Sequence, residues 1–212
     1  MDDLRARCGD GVFTPGRGVD VDLILLRGYR VNPDFVDLPE GVLGRTTFDP
    51  DGGLLVEVSR ELAEGADHSN VTRRRLRSTL AHECGHIVFH RHLFLADGQQ
   101  SLFAPAAQAS PHVLCRGDAI DDRVRRRDGR EYQANRGMAS LLLPAGLVRA
   151  QVKDILEAHG YDSLRGAAAD GGAEQVLRNV CDVFDVSLQM TLYRVLDLGL
   201  LPKETAQSDF GW

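Results

Sequence analysis

No stretch of this chain approaches the ~20 consecutive apolar residues that span a bilayer. The opening residues, Met1-Asp2-Asp3-Leu4-Arg5, have neither the basic start nor the apolar core of a secretory signal. No cysteine belongs to a C-x-x-C pair. The four of them, Cys8, Cys84, Cys115 and Cys181, are spaced too irregularly for a disulfide ladder. A reducing, cytoplasmic setting is the expectation. Basic charge is not in excess either: 25 Lys and Arg stand against 31 Asp and Glu, a formal net charge of −6. That balance argues against a free-standing nucleic-acid binder. Internal repeats are missing too. What is present is an ordinary globular composition, 43% apolar and 26% charged over 212 residues. Such a chain buries a real core in one domain, or in one domain with a small appendage.

Residues 1–18 contain Gly9, Gly11, Gly16, Gly18 and Pro15 and no apolar period, so a flexible, irregular arm is expected there. Val19 to Leu26 reads as a strand. Val42 to Phe48 and Leu54 to Val58 flank Asp49-Pro50-Asp51-Gly52-Gly53, and this turn chemistry predicts a β-hairpin. A long helix is expected from about Asn70 to Phe94. Residues 96–128 follow as a long loop with one short strand at His112 to Cys115; a connection of that length is usually functional or mobile. A second helix runs from Arg130 to Leu143 and stops at Pro144. Three more are expected over 145–159, 173–184 and 188–198, the last capped by Ser187 and closed by Gly199. Strands come first and helices after, so the fold class is α+β: a small antiparallel sheet packed on a mainly helical core, with additional C-terminal helices. The expected organisation is an arm at 1–18, a main domain at 19–159, and a C-terminal helical region at 160–212 on the same core.

Within the long helix lies His82-Glu83-Cys84-Gly85-His86, an H-E-x-x-H sequence. Four residues make about one turn, so both imidazoles share a face and can bind one ion. With His82 set at zero and about 100° per residue, His86 lies near 40°. Leu76, Leu80, Cys84, Ile87, Val88 and Phe94 fall on the opposite arc and predict the core face. Cys84 is thus read as a small buried hydrophobe. Glu83 lies beside the pair, where it can serve as a base without ligating the metal.

A catalytic zinc site needs three protein ligands and an open position. Three residues compete for the third place. His90 continues the i, i+4 series, but three such histidines span about 12 Å of helix and cannot converge on one ion; it reads as a surface residue or a support to a ligand. His92 occupies the third-histidine position of the metzincin pattern, which needs a turning glycine where Phe89 stands. Glu131 opens Glu131-Tyr132-Gln133-Ala134-Asn135 on the second helix and shares a stripe with Ala134, Asn135, Met138 and Leu142. Ala134 is small enough for the two helices to approach closely, and Asn135 is placed to hydrogen-bond a ligand. A glutamate at a helix start is ordinary by itself, favoured by the helix dipole; beside an H-E-x-x-H it becomes the preferred third ligand.

These residues, with Leu141-Leu142-Leu143-Pro144, Val186-Ser187 and Leu198-Gly199-Leu200-Leu201, make the chain resemble the ImmA/IrrE family of bacterial metallopeptidases over roughly residues 40–200. In that family an H-E-x-G-H helix is followed by E-x-Q-A-N/D-x-F-A-x-x-L-L-M-P. Gly137 and Met138 stand here where Phe-Ala is usual, and Leu143 replaces Met. The resemblance implies a zincin-like core and a gluzincin-like site. One Zn²⁺ per chain would be held by His82, His86 and Glu131, with Glu83 as the catalytic base. It also implies a protein substrate, a helix-turn-helix transcriptional repressor. Two rival expectations stand beside it: a zinc-binding regulator that grips a repressor or DNA without cutting, and a metzincin-type peptidase that uses His92. Tyr132, His112 and Arg136 are the candidates for steadying an oxyanion.

Other features read more simply. Cys115 is expected to be a structural thiol. The arginines at 73, 74, 75 and 77, and those at 123, 125, 126, 127 and 130, read as solvated faces, the second run being a candidate lining for a substrate groove. The helices at 173–184 and 188–198 meet at Asp185-Val186-Ser187 as a helix-turn-helix would, with Gln189, Thr191 and Arg194 placed to meet bases. Their apolar residues predict a packed helix pair instead, and direct nucleic-acid binding is not expected.

Overall fold

Helix caps and turns set the order of elements in the computed structural model, which describes residues 2–13, 16, 18–49, 52–100, 112–116 and 129–204. Helix α1 covers Asp2–Cys8, where irregular chain was expected, and Cys8 is buried. The Asp20 carboxylate accepts a hydrogen bond from the Leu23 N–H (3.0 Å) and starts α2, Val21–Leu23. This continues as a π-helical segment over Ile24–Tyr29 and ends at Arg30, whose φ is 59°. The expected strand at 19–26 is therefore helical. Val21, Ile24 and Leu25 are buried at helical spacing, and the Asp20 cap decides what a short apolar run alone leaves ambiguous.

Strand β1 is Asp34–Val36, β2 is Val42–Phe48 and β3 is Leu54–Ser59. The turn between β2 and β3 is held by hydrogen bonds from Asp49 N–H to Gly53 O and from Gly52 N–H to Asp49 O. Gly52 has φ 85°, which favours glycine. The hairpin is antiparallel, as expected, and opposes Arg45 to Glu57, which form a two-point ion pair across the strands. Strand β4, His112–Arg116, pairs antiparallel with β2. The sheet order is β1-β3-β2-β4, with β1 parallel to β3. The sheet is thus mixed rather than wholly antiparallel; β1 escaped notice because it has three residues and little apolar alternation.

Helix α3, Arg60–Ala66, follows β3 directly and is capped by the Ser59 hydroxyl, which accepts from Leu62 N–H. Helix α4, Asn70–Gln100, is the long central helix. It packs on α3 and on β2, and also meets α2, β3 and β4. Leu80, Cys84 and Ile87 are buried as predicted, and Phe94 stacks on Phe48 with ring centroids 4.5 Å apart. Val88 departs from the prediction: it is 44% exposed, and at about 100° per residue it lies at the very edge of the predicted arc. Helix α5 is Gly129–Leu142.

The chain divides into two compact units. One contains the described residues of 1–9 and 20–138; the other contains those of 10–19 and 139–204. In the second unit, α6 (Ala145–Ala158), α7 (Leu164–Ala169), α8 (Ala173–Phe184) and α9 (Leu188–Asp197) follow in sequence. Helix α8 packs against the other three, burying Val176, Leu177, Val180, Cys181 and Phe184. The Ser187 hydroxyl caps α9 by accepting from Met190 N–H, and Gly199 follows it with φ 67°. Thr191 and Arg194 are buried, and Arg194 donates to Leu143 O (2.9 Å) and pairs with Asp197 (2.7 Å). Two of the three side chains that a helix-turn-helix would present to bases are therefore structural. No helix among the described residues is long and apolar enough to cross a membrane. The class is α+β, with a small mixed sheet, a mainly helical core and C-terminal helices.

Candidate metal centre

A helix turn puts His82 and His86 on one face of α4, and α5 brings Glu131 to the same point. The ligand atoms of these three residues lie within 4.8 Å of one another, the one such group among the described residues. The two Nε2 atoms are 2.9 Å apart, and the Glu131 carboxylate oxygens lie 3.2 Å from His82 Nε2 and 3.3 Å from His86 Nε2. Both imidazoles are buried, at 2% and 0% exposure.

The two helices can come this close because of small residues. A Cβ on Gly85 would lie 2.8 Å from the Ala134 carbonyl oxygen, and one on Gly137 would lie 2.7 Å from the Phe89 ring. Ala134 was legible as a small contact residue. Gly85 and Gly137 complete the seam, and Phe89 packs toward Gly137 instead of turning the chain. Helix α4 continues without a break to Gln100, and His92 is exposed. His92 is thus not among the converging ligands. His90 is fully buried, and its Nδ1 meets His86 Nδ1 at 3.0 Å, on the side of that ring away from Glu131. Asn135 Oδ1 lies 3.0 Å from His82 Nδ1.

Glu83 is fully buried and points to the sheet. Thr46 Oγ1 donates to its Oε2, and a Cβ on Gly44 would lie 2.6 Å from its Oε1. Alternate residues of β2 thus hold the carboxylate: Thr46 by a hydrogen bond, Gly44 by leaving room. Neither stood out in the sequence, because β2's inward face is visible as an alternation while the helix lying over it is not. Burial raises the Glu83 pKa to about 7, although His82 and Thr46 pull it back. Burial also acts upward on Glu131, but the two imidazoles outweigh it and hold that carboxyl at about 2. Burial, helped by His82 and His90, lowers His86 to about 4. Burial acts downward on His82 too, yet Glu131, Glu83 and Asn135 leave it raised.

These residues fit a divalent cation. Two imidazole nitrogens and a carboxylate are a borderline donor set suited to zinc. Glu131 Oε2 is buried, and no well-directed hydrogen bond reaches it although His82 Nε2 lies 3.2 Å away. A buried carboxylate oxygen in that state is costly, and a cation among the three relieves it. Of the candidate oxyanion groups, Tyr132 is 40% exposed and its hydroxyl accepts from Arg136 Nη1 at 3.2 Å. The side chain of His112 and the arginines at 123, 125, 126 and 127 lie outside the described residues, as does most of the expected loop at 96–128. All four cysteines are buried and outside any disulfide, and burial pushes Cys115 well above the usual thiol range. No family model matches the chain, and neither a known protein nor a solved structure matches it.

Proposed function

We propose that the protein is a zinc-dependent peptidase, with His82, His86 and Glu131 as metal ligands and Glu83 as the general base. One observation carries the reading: the ligand atoms of three residues from two helices converge within 4.8 Å, and Glu83 adjoins them with a pKa near the working range of a base. A zinc ion in that set supplies Lewis acidity, polarising a carbonyl and acidifying water. Glu83 takes a proton on its carboxylate and returns it to the leaving amine, and Thr46 fixes the carboxylate's orientation through Oε2. Asn135 orients His82. The resemblance to the ImmA/IrrE family supports a helix-turn-helix repressor as the substrate, in a cytoplasmic setting. A second reading has a specific support as well: with His82, Glu83 and His86 at 2%, 0% and 0% exposure, a metal there could be structural, and the protein would act by gripping its partner.

Glu83→Gln separates the two. The variant should retain zinc and the fold, since the amide is nearly the same size, and lose cleavage by roughly 10²–10⁴, the usual worth of a positioned base. Wild type and variant are incubated with the candidate repressor, and the length of the repressor is followed by mass spectrometry. Cleavage by wild type alone supports the peptidase. An intact repressor that is inactivated equally by both proteins leaves only the binder.

A further inference from the structure

The third histidine of α4 has no place in the ligand set, yet it is fully buried and in line with it. His90 Nδ1 lies 3.0 Å from His86 Nδ1, and His90 Nε2 lies 3.0 Å from Gln133 Oε1. Hydrogen-bond bookkeeping then leaves one pattern for neutral rings. The Gln133 amide oxygen only accepts, so His90 donates to it from Nε2–H. The other nitrogen of His90, Nδ1, keeps its lone pair and must accept, and the donor opposite is His86 Nδ1–H. His86 Nε2 is thereby left with its lone pair, and it is this nitrogen that faces Glu131 at 3.3 Å. His82 is set by the same logic through a shorter chain, since its Nδ1 meets the Asn135 carbonyl oxygen. Both orienting amides and the carboxylate ligand come from one stretch of α5, Glu131 to Asn135.

We propose that Gln133 and His90 act as a positioning relay that locks His86 in the Nδ1–H tautomer and so sets the metal affinity of the centre. The inference rests on the metal-site reading above. A direct carboxylate or carbonyl partner is the usual support for a ligating histidine; here an imidazole takes that place and borrows its own orientation from the amide. His90→Leu removes the acceptor and lets His86 protonate on either nitrogen. His90→Asn returns an acceptor oxygen close to where Nδ1 was. Gln133→Met, at an exposed position on α5, frees His90 to flip with little risk to the fold.

The test is zinc affinity by competition with a chromophoric chelator, together with nitrogen-15 spectra of the imidazoles in the zinc-loaded wild type. His90→Leu should weaken zinc roughly 10–100-fold, the range for losing such a support. Gln133→Met should weaken it in the same direction by less, and His90→Asn should recover most of the loss. The spectra should show His90 protonated on Nε2 and His86 on Nδ1. Wild-type affinity in folded His90→Leu and Gln133→Met, or a His90 proton on Nδ1, overturns the relay while the metal site stands. If His90→Leu does not fold, Gln133→Met and the wild-type spectra decide. A wild type that takes up no zinc overturns the metal site itself, and the relay with it.

Discussion

At the scale of residues, the centre depends on a few side chains whose roles separate cleanly. Glu131→Ala should abolish zinc binding, because it removes one of three converging donors. His92→Ala should leave binding nearly unchanged, because that side chain is exposed on an unbroken helix. Metal analysis of the two purified variants checks both; the reverse result would move the ligand set to the metzincin arrangement. Glu83 has its own signature in the metal-free protein. Folded, it holds its proton up to about pH 7, against 4.5 for an ordinary carboxyl. Between those values the native state binds the extra proton, so this group makes stability fall as pH rises. Glu83→Gln removes that loss. With chelator present, the variant should gain on wild type as pH rises through this window, at about 1.4 kcal/mol for each pH unit. The gain should reach about 3 kcal/mol above neutral pH and be almost nothing near pH ~4. Urea unfolding at the two pH values reads the difference, and a gain independent of pH would show that the carboxylate is not strained by burial.

At the scale of elements, the seam between α4 and α5 decides whether the ligands meet. A methyl group at Gly85 would strike backbone of Ala134, at 2.8 Å from its oxygen and 3.0 Å from its Cα. At Gly137 it would strike the Phe89 ring, which belongs to a side chain 40% exposed and able to swing away. Both substitutions gain about 1 kcal/mol of helix propensity. Gly85→Ala should nevertheless destabilise by about 1–3 kcal/mol through overpacking and should weaken zinc binding, since α5 carries Glu131. Gly137→Ala should be close to neutral in both. Denaturation midpoints and chelator competition compare the pair; equal behaviour would mean that the helices slide apart without cost. Sheet and helix cooperate in the same way at Glu83, where β2 leaves space at Gly44 and a hydroxyl at Thr46.

At the scale of the whole molecule, all three ligands belong to the unit containing residues 20–138, so metal binding and folding of that unit are linked. Zinc at a hundredfold excess over its dissociation constant should stabilise it by about 2.7 kcal/mol. That corresponds to a rise in melting temperature of roughly 5–10 °C for a chain of this size. The rise should vanish with chelator and be absent from Glu131→Ala. It should also weaken on acidification, because protons compete for His82, whose pKa is raised. Differential scanning calorimetry across pH checks the sequence of effects; a melting temperature indifferent to zinc would remove the link.

The sequence by itself determined what short-range periodicity and turn chemistry can carry. The hairpin around Gly52, the span of α4 from Asn70, the C-terminal helices and the Ser187 cap all follow from local patterns, as does the convergence expected of His82, His86 and Glu131. It did not determine features in which a local pattern is ambiguous or too short. The 19–26 stretch had strand-like residues and a helix-capping aspartate, and β1 had only three residues with which to announce itself. Tertiary structure alone decided which backbone lies against which side chain. Gly44 and Thr46 became the seat of Glu83 only because α4 crosses β2. Gln133 became an anchor for His90 only because Gly85 and Ala134 let α5 close onto α4. The physical reason is range: capping and alternation act over a few neighbouring residues, whereas a buried carboxylate or imidazole takes its partners from across the fold, 37 residues away for Thr46 and 43 for Gln133.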